Sequence, residues 1–363
     1  MELKEGHIIG LVIGLPVLII IGAIIWGVLW FYIAFTTTEE EYVNAYMQDK
    51  YDKQIEMVYQ GSNPKGMGAS HKVALKENPD VEFWVEVEGT FKTKVESDEY
   101  ERGVDAYHEF QKIEDDIAEI EAMGFSKIEE PEFSSYLDYS DDGYRINVME
   151  GERLSLYDVS DERLDDWMEL IRWAREHDVE LTDLMVMGLP AEEFEEEDYL
   201  VRHEVKNVED VENRSDLLRE VAKENPRVLS WRLERQLEEK VASLGGRVAA
   251  APTDFPYEER RWIECYEVDG QGKCIDAMVW LKYESAGFSP GHEKVEEDLI
   301  QVMQWTKEKM GRKSVVNFGI LEDVKGEGMH QNVEVEGPLD EKMFKEEWNQ
   351  FQRGEISYGG YIE

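Results

Sequence analysis

Basic residues are scarce in this chain of 363 residues: 39 Lys and Arg stand against 82 Asp and Glu, a formal net charge of −43. Nucleic acid is excluded as an expected partner, because phosphate binding requires a basic footprint. Self-repulsion of this size is screened in concentrated salt, where the Debye length falls to ~3 Å at 1 M. The acidity therefore favours halophilic adaptation, and a surface for divalent cations or a basic partner is the alternative.

Recognisable catalytic motifs are also missing. The sequence has no P-loop, no strand–GxGxxG–helix pattern and no H-E-x-x-H pair. Gly287-Phe288-Ser289-Pro290-Gly291 matches the G-x-S-x-G pattern of a nucleophile elbow. Pro290 has no N–H to offer an oxyanion, and Ser289 as an N-cap before Pro290 explains the same residues. The sequence therefore predicts no catalytic residue, and an enzyme is not the favoured class.

What the sequence does contain is an apolar run without a charge from Ile8 to Phe35. A helix of that length, at ~1.5 Å per residue, exceeds the ~30 Å hydrocarbon core of a bilayer. The run predicts a transmembrane helix at 8–35 after a tail at 1–7; a cleaved signal peptide is the alternative. Lys4 precedes the run and the next basic residue is Lys50, which favours a cytoplasmic N-terminus and an extracytoplasmic C-terminal region.

Gly6, Gly10 and Gly14 recur every four residues, from the tail into the predicted membrane helix, and so share one helix face. Small residues at this interval allow two helices to approach closely. The spacing predicts self-association or docking on another membrane protein. Ordinary glycine enrichment in membrane helices is the alternative.

The two cysteines, Cys265 and Cys274, flank Asp269-Gly270, a strong signal for a two-residue hairpin turn. That turn would place the cysteines directly opposite each other at a non-hydrogen-bonded pair, with Cα atoms ~4.5 Å apart. The pattern predicts a cross-strand disulfide, and hence an oxidising compartment. Two reduced, packed cysteines are the alternative.

An oxygen-rich loop begins at Asp138 and matches the start of a calcium loop through Ser140, Asp142 and Gly143. The bidentate glutamate expected at loop position twelve is absent, because Met149 stands there. A calcium site at Asp138, Ser140 and Asp142 is therefore one hypothesis, and a simple turn is the other.

The fold class predicted for the rest of the chain is a mixed α+β region. Thr38 and Glu41 form a capping box before a helix predicted at about 39–59, within a helical stalk at 36–60. An acidic α+β domain would occupy 61–190 and a second one, with the cysteine hairpin, 199–363; the charge run at 190–198 marks the boundary. Residues 133–189 and 260–321 share the order hairpin, helix, strand, which indicates two similar units, and the first contains an amphipathic helix at 161–176.

These features favour a membrane-anchored, non-enzymatic structural or binding protein that presents an acidic region outside the cytoplasm. Its partners would be the lipid bilayer and a membrane or surface protein. A membrane-tethered hydrolase is the first alternative, because catalytic groups often converge from distant positions. A calcium-dependent adhesion module is the second.

Overall fold

The computed structural model describes residues 38–61, 68–88, 94–140, 143–190, 200–245, 247–250, 261–283, 293–310, 315–322 and 329–335. This part of the chain is mixed α+β, as the sequence predicted. None of its helices is long and apolar enough to cross a membrane. The predicted membrane helix at 8–35, the glycines Gly6, Gly10 and Gly14, and Ser289 lie outside the described residues.

The chain divides into two compact units. The first consists of residues 1–111 and 129–134, and the second of residues 112–128 and 135–363. The sequence had instead placed a boundary at the charge run 190–198. Whether that run separates independently folding parts stays a prediction.

The first unit pairs a four-stranded antiparallel sheet with two helices. Its strands follow in chain order as β1 (Ile55–Gln60), β2 (Ala69–Leu75), β3 (Asn78–Glu88) and β4 (Lys94–Asp98). The helices are α1 (Glu39–Tyr51) and α2 (Tyr100–Ile113), and the division between the units falls in the last turn of α2. Alternate residues of β3 fill the core, as period-2 burial requires.

Helix α1 begins at the predicted capping box, with Thr38 as its N-cap. It ends at Tyr51, because Asp52 adopts a left-handed conformation (φ 56°) and closes the helix. The helix predicted to continue to about residue 59 is therefore too long, and Ile55 belongs to β1. Val43 and Met47 are fully buried in the same core as the sheet residues, so α1 packs within the first unit.

The second unit contains two five-stranded sheets. We call the part that holds the first sheet the N-terminal half. It comprises a short helix α3 (Ile117–Ala122), strands β5 (Phe125–Ser126), β6 (Leu137–Tyr139) and β7 (Tyr144–Glu150), helix α4 (Asp161–Glu176), and strands β8 (Leu181–Gly188) and β9 (Val201–Val205). Helix α4 has the predicted bounds, and its apolar face is buried.

Helix α5 (Arg214–Glu224) and a 3₁₀ turn (Pro226–Leu229) lead into the C-terminal half of the second unit. That half comprises α6 (Ser230–Ser243), β10 (Val248–Ala250), β11 (Ile263–Val268), β12 (Cys274–Tyr283), α7 (Glu293–Met310), β13 (Val315–Glu322) and β14 (Met329–Val335).

The two sheets of the second unit have the same connectivity. In each, a hairpin (β6–β7 or β11–β12) is followed by a crossover helix and a strand parallel to the second hairpin strand. An antiparallel strand then adds at the far edge. A short strand before the hairpin, β5 or β10, also pairs with the second hairpin strand. Both halves are therefore variants of one arrangement.

The cysteine hairpin carries the predicted disulfide with a different register. The Sγ atoms of Cys265 and Cys274 are bonded, with Cα atoms 6.0 Å apart. Cys265 pairs with Ala277 and Cys274 with Val268, with irregularities between them, so the predicted direct pairing is wrong. Asp269 explains the difference, because its side-chain oxygen accepts hydrogen bonds from the backbone N–H groups of residues 271 and 273 and widens the turn.

Candidate functional site

The segment 151–160, which joins β7 to α4, forms the centre of the candidate site. It leaves the carboxyl end of the parallel pair β7–β8, the edge where ligands commonly bind in open α/β sheets. Its main chain is fixed from both halves of the second unit. The side chains of His203, Asn225 and Arg232 hydrogen-bond to the carbonyl oxygens of Ser155 (2.8 Å), Leu156 (3.2 Å) and Val159 (2.9 Å). The backbone N–H of Trp231 donates to the carbonyl oxygen of Tyr157 (3.3 Å).

Glu150, the last residue of β7, begins a polar cluster beneath this segment. Its Oε2 accepts a hydrogen bond from Trp167 Nε1 at 3.1 Å, and its Oε1 lies 3.2 Å from Arg163 Nη1. Burial raises the pKa of Glu150, although Arg163 acts in the opposite direction. The carboxyl group is therefore easier to protonate than an ordinary glutamate.

His203 on β9 completes the cluster and is fully buried. Its Nε2 lies 2.8 Å from the carbonyl oxygen of Ser155, which assigns the ring proton to Nε2. Within the described part of the chain, its Nδ1 has no hydrogen-bond partner. The ring centre is 5.7 Å from that of Trp167. Burial lowers the pKa of His203 to about 4, so the imidazole is neutral at neutral pH.

A second group of side chains forms what we call the arginine–aromatic stack. Trp231 in α6 contacts two cations: Arg235 Cζ is 4.4 Å and Arg261 Cζ 5.0 Å from its ring centroid. Arg261 also lies 5.8 Å from the ring of Tyr157, and Arg227 lies 5.9 Å from the same ring. These separations are within the range of cation–π attraction. The stack thus combines three guanidinium groups with two aromatic rings.

Two buried glutamates, Glu234 and Glu264, support the stack from within the fold. Glu234 Oε1 accepts hydrogen bonds from the backbone N–H groups of Trp262 (2.7 Å) and Ile263 (3.2 Å), and Glu234 Oε2 lies 3.5 Å from Arg261. Burial raises the pKa of Glu234, against the opposing effects of these donors. Glu264 accepts from the hydroxyl of Tyr266 at 2.6 Å. The carboxylates beside the stack are therefore occupied by contacts within the fold.

The disulfide lies close to the stack in sequence and structure. Ser230, at the start of α6, accepts a hydrogen bond from the backbone N–H of Cys265 at 3.2 Å. Cys265 and Cys274 are both buried in the core of the C-terminal half. The Ser230 hydrogen bond therefore ties β11, which carries Glu264, to the start of α6, and the disulfide joins β11 to β12.

Asp138 and Ser140, from the predicted calcium loop, lie away from the stack. Asp138 is buried, and its Oδ2 lies 3.5 Å from Arg145 Nη2. The hydroxyl of Ser140 donates a hydrogen bond to Asp183. Asp142 lies outside the described residues. The described residues contain no cluster of three or more potential metal-ligating side chains. A calcium site at this loop stays a prediction.

A further polar cluster ties α1 to the sheet of the first unit. Asp98 accepts hydrogen bonds from Tyr46 (2.6 Å), Tyr51 (2.8 Å) and Lys50 (2.8 Å). Burial alone would raise the pKa of Asp98, but these hydrogen bonds outweigh it and lower the pKa. We call Tyr46, Lys50, Tyr51 and Asp98 the α1 clamp.

Sequence reasoning missed both the stack and His203. The four-residue spacing of Trp231 and Arg235 places them on one helix face, which is a detectable signal. Arg261 is distant in the sequence, just before β11, and leaves no local pattern. His203 occupies a buried position in the alternating pattern of β9, where a histidine reads as an ordinary strand residue.

Comparisons with known proteins give little further guidance. No protein-family model and no curated protein matches the sequence. A crystal structure of a DUF5037 family protein from Ruminococcus gnavus ATCC 29149 aligns with 10% identity over 87% of this chain and 100% of that chain, at a TM-score of 0.20. That score is too low to support an inference about fold or function.

Proposed function

We propose that this chain is a membrane-anchored binding protein that presents an acidic α+β region outside the cytoplasm. The anchor is the uncharged run Ile8–Phe35, and the cytoplasmic N-terminus follows from the distribution of basic residues around it. The acidity is attributed to adaptation to salt.

The observation that carries the proposal is the short connection between the apolar run and the folded region. The run ends at Phe35 and Thr38 is already the N-cap of α1, so two residues separate them. Helix α1 is fixed to its sheet by buried Val43 and Met47 and by the α1 clamp. A bilayer-embedded anchor would therefore hold the first unit next to the lipid surface.

The disulfide supports placement of the folded region outside the cytoplasm. Disulfides persist in oxidising compartments and are rare in the reducing cytosol. Cys265 and Cys274 are joined, and both are buried. This agrees with the orientation proposed from Lys4.

The test is membrane fractionation of cells that express the full chain, beside a control chain lacking residues 8–35. The full chain should remain in the pellet after an alkaline carbonate wash and should float with vesicles in a density gradient. The control should remain in the supernatant. A full chain that keeps its first forty residues and yet stays in the supernatant without detergent would refute the anchor.

A membrane-tethered hydrolase is the second candidate, and one observation favours it. Glu150, with its raised pKa, lies at the carboxyl edge of β7–β8 beside Arg163 and near the neutral imidazole of His203. A carboxyl group tuned in this way can serve as a general acid. Turnover on a panel of esters, peptides and glycosides that is abolished by Glu150→Gln would favour this candidate.

A further inference from the structure

We propose that Asn213 is a site of N-linked glycosylation, with an oligosaccharide carried on a lipid diphosphate as the donor. This inference rests on the proposed function, because the acceptor motif N-x-[ST] acts in proteins that leave the cytoplasm. Asn213, Arg214 and Ser215 form that motif. Of the ten asparagines in the chain, no other has serine or threonine two residues later. The sequence therefore offers one acceptor position.

The structure places this motif on the surface, which is the context that the motif requires. Asn213 lies between the 3₁₀ turn Val208–Asp210 and helix α5, and its backbone is extended (φ −152°, ψ 173°). All four residues from 212 to 215 are exposed. Arg214 pairs with Asp165, yet both side chains keep about half of their surface in solvent, at 51% and 49%. A transferase can therefore reach the asparagine from outside.

The hydrogen bonds of Asn213 are compatible with a glycan. As the N-cap of α5, its Oδ1 accepts from the backbone N–H groups of Ser215 (2.9 Å) and Asp216 (3.2 Å). Its Nδ2 donates to Asp216 Oδ2 at 2.6 Å. An amide nitrogen carries two hydrogens, and the bond to Asp216 uses one of them. The sugar would replace the other, so the cap of α5 is retained after modification.

The reaction forms a bond between Asn213 Nδ2 and the anomeric carbon of the donor sugar. The bond from that carbon to the phosphate oxygen of the donor breaks, and the lipid diphosphate leaves with the electron pair. Nδ2 loses one proton to a base of the transferase, and no atom is oxidised or reduced. Ser215 supplies the hydroxyl group that defines the acceptor, and its backbone N–H already contacts the asparagine side chain.

A glycan at this position also bears on where a partner protein can bind. Glycans on asparagine are bulky and strongly hydrated, so they shield the surface around them. The shielded surface would include the start of α5 and the exposed pair of Arg214 and Asp165. We therefore expect the partner to bind away from this part of the second unit.

The experiment is mass spectrometry of the full chain, purified in detergent from membranes of the cells that produce it naturally. Chymotrypsin releases a fragment spanning residues 201–217, which contains Asn213 and a second exposed asparagine, Asn207. Asn207 lacks the hydroxyl residue two positions later and is the internal control. The test variant is Ser215→Ala, and the matched control is Ser215→Thr. Both variants keep the backbone N–H that bonds to Asn213.

We expect an oligosaccharide mass on Asn213 and none on Asn207. Ser215→Ala should lose this mass completely, whereas Ser215→Thr should retain it. The proposal would be overturned by an unmodified Asn213 in the wild-type chain, by a mass located on Ser215 itself, or by a mass that persists in Ser215→Ala. An unmodified chain that stays in the carbonate-washed pellet with an intact disulfide would leave the proposed anchoring and orientation standing. An unmodified chain with free thiols in the supernatant would refute both proposals.

Discussion

The two halves of the second unit use one connectivity and stabilise it by different chemistry. In the N-terminal half, buried polar contacts around Glu150, Trp167 and His203 support the segment that follows the central strand. In the C-terminal half, a disulfide fixes the hairpin, and buried Glu234 and Glu264 accompany an apolar core around Leu237, Val279 and Val302. The comparison teaches that connectivity does not determine where polar groups are buried. The N-terminal half buries His203, so its stability should fall in acid through the protonation of this imidazole.

The largest expected effect that separates the halves comes from removing their central tryptophans. Trp167 is fully buried, whereas Trp305 is only partly buried against the C-terminal core. Trp167→Ala should cost about 3–5 kcal/mol of the free energy of unfolding, because it leaves a cavity and removes the hydrogen bond that Trp167 donates to Glu150. Trp305→Ala should cost clearly less. Hydrogen exchange followed by mass spectrometry can report β7–β9 and β11–β12 separately, and equal losses in both would contradict the comparison.

The next effect is the pH dependence that His203 gives to the N-terminal half. The unfolded imidazole of His203 takes up a proton near pH 6.5, but the folded one does so only at about pH 4. The unfolded state thus binds more protons between these values, and stability falls as the pH is lowered from about 6.5 to about 4. The loss is about 3 kcal/mol at most.

His203→Gln should flatten this dependence, and urea unfolding from pH 7 to pH 4 measures it. Glu150 has a raised pKa, so its contribution has the opposite sign: stability is lost as the pH rises above its ordinary value of 4.5. Both chains retain Glu150, and the difference between their curves isolates His203. Identical slopes in the two chains would show that His203 does not titrate as described.

Reducing the crosslink should affect the C-terminal half. The crosslinked residues are nine apart in sequence, and closing so short a loop contributes about 2–3 kcal/mol in the chain-entropy account. Reductant should lower the melting temperature of the wild-type chain. The double variant Cys265→Ser with Cys274→Ser should melt at that lower temperature with or without reductant. A reductant effect on the double variant would assign the change to something other than this disulfide.

Calcium should have the smallest effect. The carboxylate of Asp138 already accepts the backbone N–H of Tyr139 (2.9 Å) and lies beside Arg145, and Ser140 donates to Asp183. We therefore expect millimolar calcium to leave the melting temperature unchanged. A rise that is absent in Asp142→Ala would instead support the calcium-dependent adhesion hypothesis.

Local signals predicted more of this fold than of its site. The capping box at Thr38 and the amphipathic pattern of α4 depend on neighbouring residues, and both were read correctly. The end of α1 was misread because Ile55 continues the helical spacing of Met47 and Tyr51, and only the left-handed Asp52 breaks it. The disulfide was predicted from a turn that the side chain of Asp269 in fact widens.

The stack escaped prediction for a different reason. Its members come from the segment before α4, from the 3₁₀ turn and α6, and from the chain just before β11. Contacts between Tyr157, Trp231 and Arg261 therefore depend on tertiary packing. Burial of Glu234 and Glu264 is equally invisible in a chain where acidic residues are abundant. Hydrophobic periodicity in the sequence identifies helices and strands, but it does not show which of them pack together.

The most direct test of the anchored, extracytoplasmic arrangement is a thiol-labelling assay on intact cells that express the full chain. Cells are quenched in acid, and the denatured protein is treated with a maleimide before and after reduction. We expect no labelling of Cys265 and Cys274 until reductant is added. We also expect protease added outside spheroplasts to digest the C-terminal region. Free thiols at the time of quenching, with a C-terminal region that protease reaches only after lysis, would contradict it.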